Sequence, residues 1–524
     1  MSACTWTLPI LLSTAVLAMP DRATPGEEAL LCDTVKPSRR PRDAPRCSDV
    51  GMRLFILQPE GIRSADNLIA AGKSFHITRA EWSYIMDKPF IERCRKLGWH
   101  FQGTMNAITN NADHAIKDRD GKPVLDHFNK PGRYMADPNN ELYRRWYLER
   151  LKQWFALGVY AIQRDEPTGL GGLGGLRRWE YPDADRFFTL LHKQAEGAAG
   201  RAISWSCNLV WNQGGRLGGK GEAVTGHFGF GVSEVRAKSI HARFLWESAR
   251  DARRRGKTIV YTGGHDLGIP RTRLAIAGCY AVGLTFIVPW DQFGGVGKKR
   301  IFAKPEDLAD LYGFIRAVAP LLDGYEGAAA VHSGRDGNKA EAAPVRISGG
   351  SGEVTAVVRV KPGSQVAPVA VHLIDWAAKP ERFEVHLDTK RFFGGEGLEV
   401  RMLSPVGYES GSHAAAEKAA AAMVKPGQMA GIRQATAYAA LRRASMPRTT
   451  VRDGWTSVKI PPIRPWGLLE ITPTRQADRP DPPLNGQSRR RPRHALLADP
   501  QRDLHMLPDH AVNGIKGACR SPES

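Results

Sequence analysis

Two adjacent carboxylates, Asp165 and Glu166, close the apolar run in "GVYAIQRDEP" at residues 158–167. Glu234 ends a similar run, "FGFGVSEV", at residues 228–235. Asp266 follows "TIVYTGGH" and Asp291 follows "LTFIVPW". Acids that recur at the ends of apolar runs can act in pairs. One carboxyl group protonates a leaving oxygen while the other attacks carbon or activates water, which is how a glycosidic bond is broken. Trp82, Trp205, Trp211 and Trp290 fall at or just past the ends of such runs. Their flat rings suit stacking against sugars, although a buried core role is as ordinary for each.

The residues after Glu166 offer a competing chemistry. "GLGGLGG" contains a G-x-G-x-x-G at Gly169, Gly171 and Gly174. In a dinucleotide fold the strand runs straight into the first glycine and a helix opens at the last. Here "RDEPT" intervenes, Pro182 delays the helix, and two carboxylates would repel a pyrophosphate. The segment reads instead as a long loop that shapes a site. A metal-dependent hydrolase built on His265, Asp266 and another acid lacks any H-x-H or H-E-x-x-H spacing. The seven cysteines contain no C-x-x-C, so no metal or other cofactor is expected. Cys32 and Cys47 are a candidate disulfide in an oxidising compartment, whereas Cys207 and Cys279 read as buried thiols.

These acids need a scaffold. Eight apolar runs recur between residues 52 and 325: 53–61, 73–82, 99–107, 158–167, 202–212, 228–235, 257–266 and 284–293. Helical patterns lie between several of them, at 139–158, 183–197, 239–256 and 271–283, with Asn139 as the expected N-cap of the first. Eight strand–helix alternations in this length imply a parallel (β/α)8 barrel, whose catalytic groups stand at the C-terminal strand ends. Strand alternation sets Gln163 and Asp165 toward the mouth, opposite Tyr160 and Ile162. The same rule helps less for Glu234, which shares parity with Phe228, Phe230 and Val232.

After residue 325, strand-like runs follow one another at 353–361, 366–376, 382–389, 397–405, 455–462 and 466–472. They read as an antiparallel β-sandwich at 326–474 with a helical insertion near 409–448. The expected division is a candidate signal peptide at 1–18, a disordered or linker segment at 19–50 and the barrel at 51–325. The sandwich and a disordered tail at 475–524 complete it. "TLPILLSTAVLA" at 7–18 is too short to span a bilayer and resembles a secretory h-region, which implies a secreted or periplasmic protein.

The chain has 524 residues, 42% of them hydrophobic and 24% charged, ordinary for a globular protein. Its net charge of +20 invites a nucleic-acid reading. Much of the excess sits in Pro-containing segments such as "KPSRRPRDAPR" and "SRRRPR", without interleaved aromatics or a nucleic-acid motif. Neither nucleic acid nor membrane is the expected partner; a carbohydrate is.

"AIQRDEP", "GFGVSEV", and "YAVGLTFIVPWDQF" followed by "VAVHLIDW" together resemble the (β/α)8 glycoside hydrolases. The likeness covers roughly residues 50–475 and is nearest to dextranase-like and α-galactosidase-like retaining enzymes, several of which carry a C-terminal β-sandwich. It implies Asp165 as the nucleophile after strand four and Glu234 as the acid/base after strand six. Asp165 is followed by Glu-Pro rather than a short residue and Gly, so Glu166 competes with it. Glu166, Arg164, Trp82, Asn208, His265, Asp266, Trp290 and Asp291 make up the expected substrate-binding set. The alternative is a barrel that binds carbohydrate without turning it over.

Overall fold

The computed structural model describes residues 29–126, 130–165, 181–208, 225–235, 239–263, 267–292, 300–334, 343–395 and 397–474. The first of its two domains is an eight-stranded parallel sheet in sequential order. Its strands are β1 (Gly51–Arg53), β2 (Arg79–Ser83), β3 (His100–Met105), β4 (Ala161–Arg164), β5 (Ser204–Asn208), β6 (Phe230–Val235), β7 (Thr258–Gly263) and β8 (Thr285–Phe286). Met52 bridges Val288 in parallel, and the Val288 N–H donates to the Gly51 carbonyl at 2.8 Å, so the sheet closes on itself. Seven of the eight apolar runs each supply one strand; the first, 53–61, meets β1 only at Arg53, where that strand ends.

Among the described residues seven helices cover the barrel: α1 (Ala65–Ser74), α2 (Lys88–Lys96), α3 (Glu141–Ala156), α4 (Tyr181–Ala199), α5 (Ala242–Arg254), α6 (Ile269–Val282) and α7 (Pro305–Ala317). Local chemistry sets their ends. Asp87 caps α2 by accepting from the Phe90 N–H at 2.8 Å. Asn140, not Asn139, caps α3 and accepts from the Leu142 and Tyr143 N–H groups. Gly283, at φ +88°, stops α6 in the left-handed conformation that suits a residue without Cβ.

The segment expected as a linker is part of the fold: Leu31 and Cys32 sit in the sandwich core, and the residues from 41 onward join the barrel. Pro41 packs beneath Gly229, the Arg42 carbonyl accepts from Ser204, and Ala44 joins the apolar cluster inside the barrel. These residues close the N-terminal end of the barrel, and Cys47, Ser48, Asp49 and Val50 are buried behind them. Composition misled here because Pro and Arg can line a buried plug when their polar atoms find partners. Cys32 and Cys47 are both free thiols and lie in different cores, Cys32 in the sandwich and Cys47 in the barrel. The expected disulfide is absent. Cys207 and Cys279 are buried and free.

The second domain has two antiparallel sheets. The larger runs β9–β11–β12–β18–β14–β15 and the smaller β10–β13–β17–β16. The strands are β9 (Glu326–His332), β10 (Val345–Gly349), β11 (Val354–Val360), β12 (Val369–Asp375), β13 (Phe383–Asp388), β14 (Leu398–Pro405), β15 (Arg442–Ser445), β16 (Thr449–Arg452), β17 (Trp455–Ile460) and β18 (Trp466–Pro473). Val358, Val371, Val385 and Val458 belong to the apolar core that the two sheets share. The helical insertion is α8 (Ser410–Ala422). Trp466 meets Phe314 of α7 edge to face at 5.0 Å, so the sandwich packs on the barrel's helices. The candidate signal peptide, the glycines at 169–174 and the tail from 475 lie outside the described residues.

Candidate active site

Alternation on β4 is resolved by what each side chain touches. Arg164 donates to the Asn106 carbonyl at 2.6 Å and to the Tyr143 hydroxyl at 3.2 Å. It also lies 4.9 Å from the Tyr147 ring centroid and 5.8 Å from that of Phe187. Those rings belong to α3 and α4, so Arg164 points into the helix layer. That corrects its expected place among the substrate-binding residues. Gln163 and Asp165 therefore face inward. The Asp165 N–H continues the strand ladder by donating to the Met105 carbonyl at 2.8 Å, which fixes its backbone at the rim.

Asp165 is buried at the mouth and accepts two hydrogen bonds on Oδ2. The Tyr84 hydroxyl donates at 2.8 Å and the Asn106 amide at 3.5 Å. Asn106 is oriented by its own backbone: its Oδ1 accepts from the Ile108 N–H at 2.9 Å, leaving the NH2 to face the carboxylate. Burial raises the Tyr84 phenol well above its usual range, and the Asp165 carboxylate adds to that. Tyr84 thus stays a donor at any working pH.

Glu234 is the one exposed residue on β6. Phe230 and Val232, four and two residues earlier, fill the barrel interior with Trp82, Val260 and Ile287. Glu234 continues that inward row at the top, where the apolar filling ends and water enters from above. Its shared parity with phenylalanines marks the inner face. Surrounding protein atoms raise its pKa; Arg53 opposes the rise and the Asp165 carboxylate adds to it. The two acids therefore feel each other across the mouth. Arg53 ends β1 and lies 3.9 Å from the Trp82 ring centroid and 4.7 Å from that of Phe55.

The remaining expectations divide. Trp82 is 1% exposed and covered by Arg53, so it has no free face for a sugar. It sits at φ +52° where the β2–β3 register shifts, a bulge that turns a bulky ring inward. Asn208 ends β5 on the face of Ser206, which meets Gln102 across the interior at 2.9 Å, and its buried Oδ1 lacks a hydrogen-bond partner among the described residues. Trp290 is partly buried, edge-on to Phe302 at 5.3 Å. Asp291 is held between Arg63 and Arg300, each at 2.7 Å, with its backbone at φ +51°. Tied between two guanidinium groups, its carboxylate is taken up in holding Arg63 and Arg300. Glu166, His265 and Asp266 lie outside the described residues.

Arg53, Tyr84 and Asn106 were missed in the sequence. Arg53 opened an apolar run and so read as the bottom of a strand, but β1 ends there and puts it at the mouth. Tyr84 and Asn106 each follow a strand directly, the position from which barrel rims are built.

No family model matches the chain, and no curated protein is similar to it in sequence. Solved structures superpose on it. A Paenibacillus sp. cycloisomaltooligosaccharide glucanotransferase, solved with cycloisomaltoheptaose, is 10% identical over 82% of this chain and 85% of its own, with a TM-score of 0.57. The chain is a (β/α)8 barrel followed by a β-sandwich, and the likeness is one of fold. Eubacterium rectale Amy13B is also 10% identical, over 84% of this chain and all of its own, but its TM-score of 0.46 is too low to add support.

Proposed function

We propose that the protein is a glycoside hydrolase that cleaves a poly- or oligosaccharide with Asp165 and Glu234 as its two carboxylates. The observation that carries this reading is their pairing at one rim. Asp165 receives donors suited to an anion, while Glu234 has its pKa raised by its surroundings and by Asp165 itself. Two carboxyl groups set in such different surroundings are suited to the two roles, one attacking and one giving a proton. Asp165 attacks the anomeric carbon, and Glu234 protonates the departing oxygen and then activates water, the retaining sequence. Tyr84 and Asn106 hold the attacking carboxylate in place. Asn208 offers a sugar hydroxyl an amide oxygen that has no hydrogen-bond partner among the described residues.

The test is sugar release from a panel of polysaccharides, with the anomer of the first product followed by NMR. Asp165→Asn is expected to abolish turnover and keep binding. Glu234→Gln is expected to spare activated aryl glycosides, whose leaving groups need no proton. Full activity in Asp165→Asn would overturn the assignment, and an inverted first product would replace attack by Asp165 with water activation.

A further inference from the structure

The barrel carries a second concavity at the end opposite the acids. A cleft of about 800 Å³ opens between the N-terminal ends of β3 and β4 and the loop that follows α8. The loop is pinned there, because the Ala430 N–H donates to the Gly98 carbonyl at 2.7 Å and Val424 lies against Gly98. Both domains therefore build the walls. Arg95, Lys96, Arg201 and Lys425 line it against a single carboxylate, Asp43. Among the described residues none of the four cations forms an ion pair. Elsewhere Arg63, Arg93, Arg133, Arg253 and Arg273 are matched to acids, whereas here four cations converge on one concavity.

Two of the cations are held in position. Arg201 lies over the Tyr160 ring at 4.4 Å, and Phe155 stacks on Tyr160 at 5.8 Å. A guanidinium flat on a ring keeps its in-plane N–H donors free for a bidentate oxyanion. Arg95 crosses Gly158, where a side chain would meet its guanidinium. His100 adds a buried Nε2 that has no hydrogen-bond partner among the described residues. Burial and the neighbouring Arg79 and Arg95 hold that ring neutral, free to donate or accept a hydrogen bond.

We infer that this cleft binds a ligand bearing carboxylate, sulfate or phosphate groups, at a site separate from the acids. The cations supply charge, Arg201 supplies planar donors, and His100 reads a polar group at the floor. The inference stands whether or not Asp165 and Glu234 cleave a glycoside.

Calorimetric titration of the full chain tests it with three probes: inorganic phosphate, a galacturonic acid hexamer and a neutral glucose hexamer. Binding of the acidic hexamer is expected, weakening with added salt. The double substitution Arg95→Ala and Arg201→Ala is expected to weaken that binding about tenfold or more and to leave any neutral-hexamer binding unchanged. Phosphate binding with the same sensitivity identifies a free oxyanion as sufficient; binding by the hexamer alone assigns the ligand to an acidic saccharide. An unchanged affinity in the double variant, or no binding of either anionic probe, overturns the site.

Discussion

Tyr84 is the residue on which the candidate nucleophile leans. It offers the 2.8 Å hydrogen bond to Asp165, and Asn106 the longer one. A hydrogen bond to a charged group contributes roughly 1.5–3 kcal/mol, so Tyr84→Phe should lower kcat about 10- to 100-fold while the fold stays intact. Steady-state kinetics beside a melting curve separate the two; an unchanged kcat would remove Tyr84 from the site. If Glu234 is the proton donor proposed above, it should set the alkaline limb of the pH–rate profile, with turnover lost as pH rises through its raised pKa. Arg53 opposes that rise. Arg53→Met should therefore shift the limb to higher pH, and a shift to lower pH would show that Arg53 does not face Glu234. Neither relationship was legible from sequence. Parity named the inward row on β4 but not on β6, because which inward residues stay apolar filling and which reach the mouth depends on where the interior cluster ends.

At the scale of elements, legibility followed burial. The barrel strands are enclosed on both faces and stand out as apolar runs, so their order was readable. β1 was misplaced because "RLFIL" stays apolar beyond Arg53, where the chain leaves the sheet and Phe55 packs on Tyr84 at 5.2 Å. The sandwich strands missed were β9, β10, β15 and β16. β15 and β16 are edge strands, exposed along nearly their whole length, with no buried face to impose alternation. A single position illustrates how the helix layer fixes the rim. Gly103 lies on the outer face of β3, where an added Cβ would sit 2.8 Å from the Trp154 ring of α3. That ring is fully buried and cannot swing away. Gly103→Ala should therefore destabilise the protein by about 1–3 kcal/mol through overpacking. Chemical denaturation measures it, and a neutral result would mean that α3 shifts freely.

Across the whole molecule, the sandwich insertion and the barrel are joined by a buried histidine pair. His76 Nε2 and His413 Nδ1 lie 2.6 Å apart, one following α1 and the other on α8. Around them, Glu417 of α8 lies 3.7 Å from His76 Nδ1, Tyr438 donates to Glu417 at 2.9 Å, and the ring of Tyr408 lies 4.7 Å from that of His413. Arg316 of α7 holds His76 down and Asp310 of α7 pulls His413 up. Burial dominates both: His76 is lowered and His413 is pushed down to about 4. A histidine depressed in the fold takes up protons more readily when unfolded. Its contribution is intact above the unfolded value near 6.5 and drains away as pH falls toward 4. Two rings in contact cannot both become cationic without repulsion, so the seam between the domains should loosen first. The melting temperature is expected to fall between pH 7 and 4, and His413→Gln should flatten that slope. Some slope should survive, because His192, half-buried on α4 and stacked on Trp205, is held near 3. If His413→Gln keeps the full wild-type slope, the acid sensitivity arises elsewhere and the pair is only a packing contact.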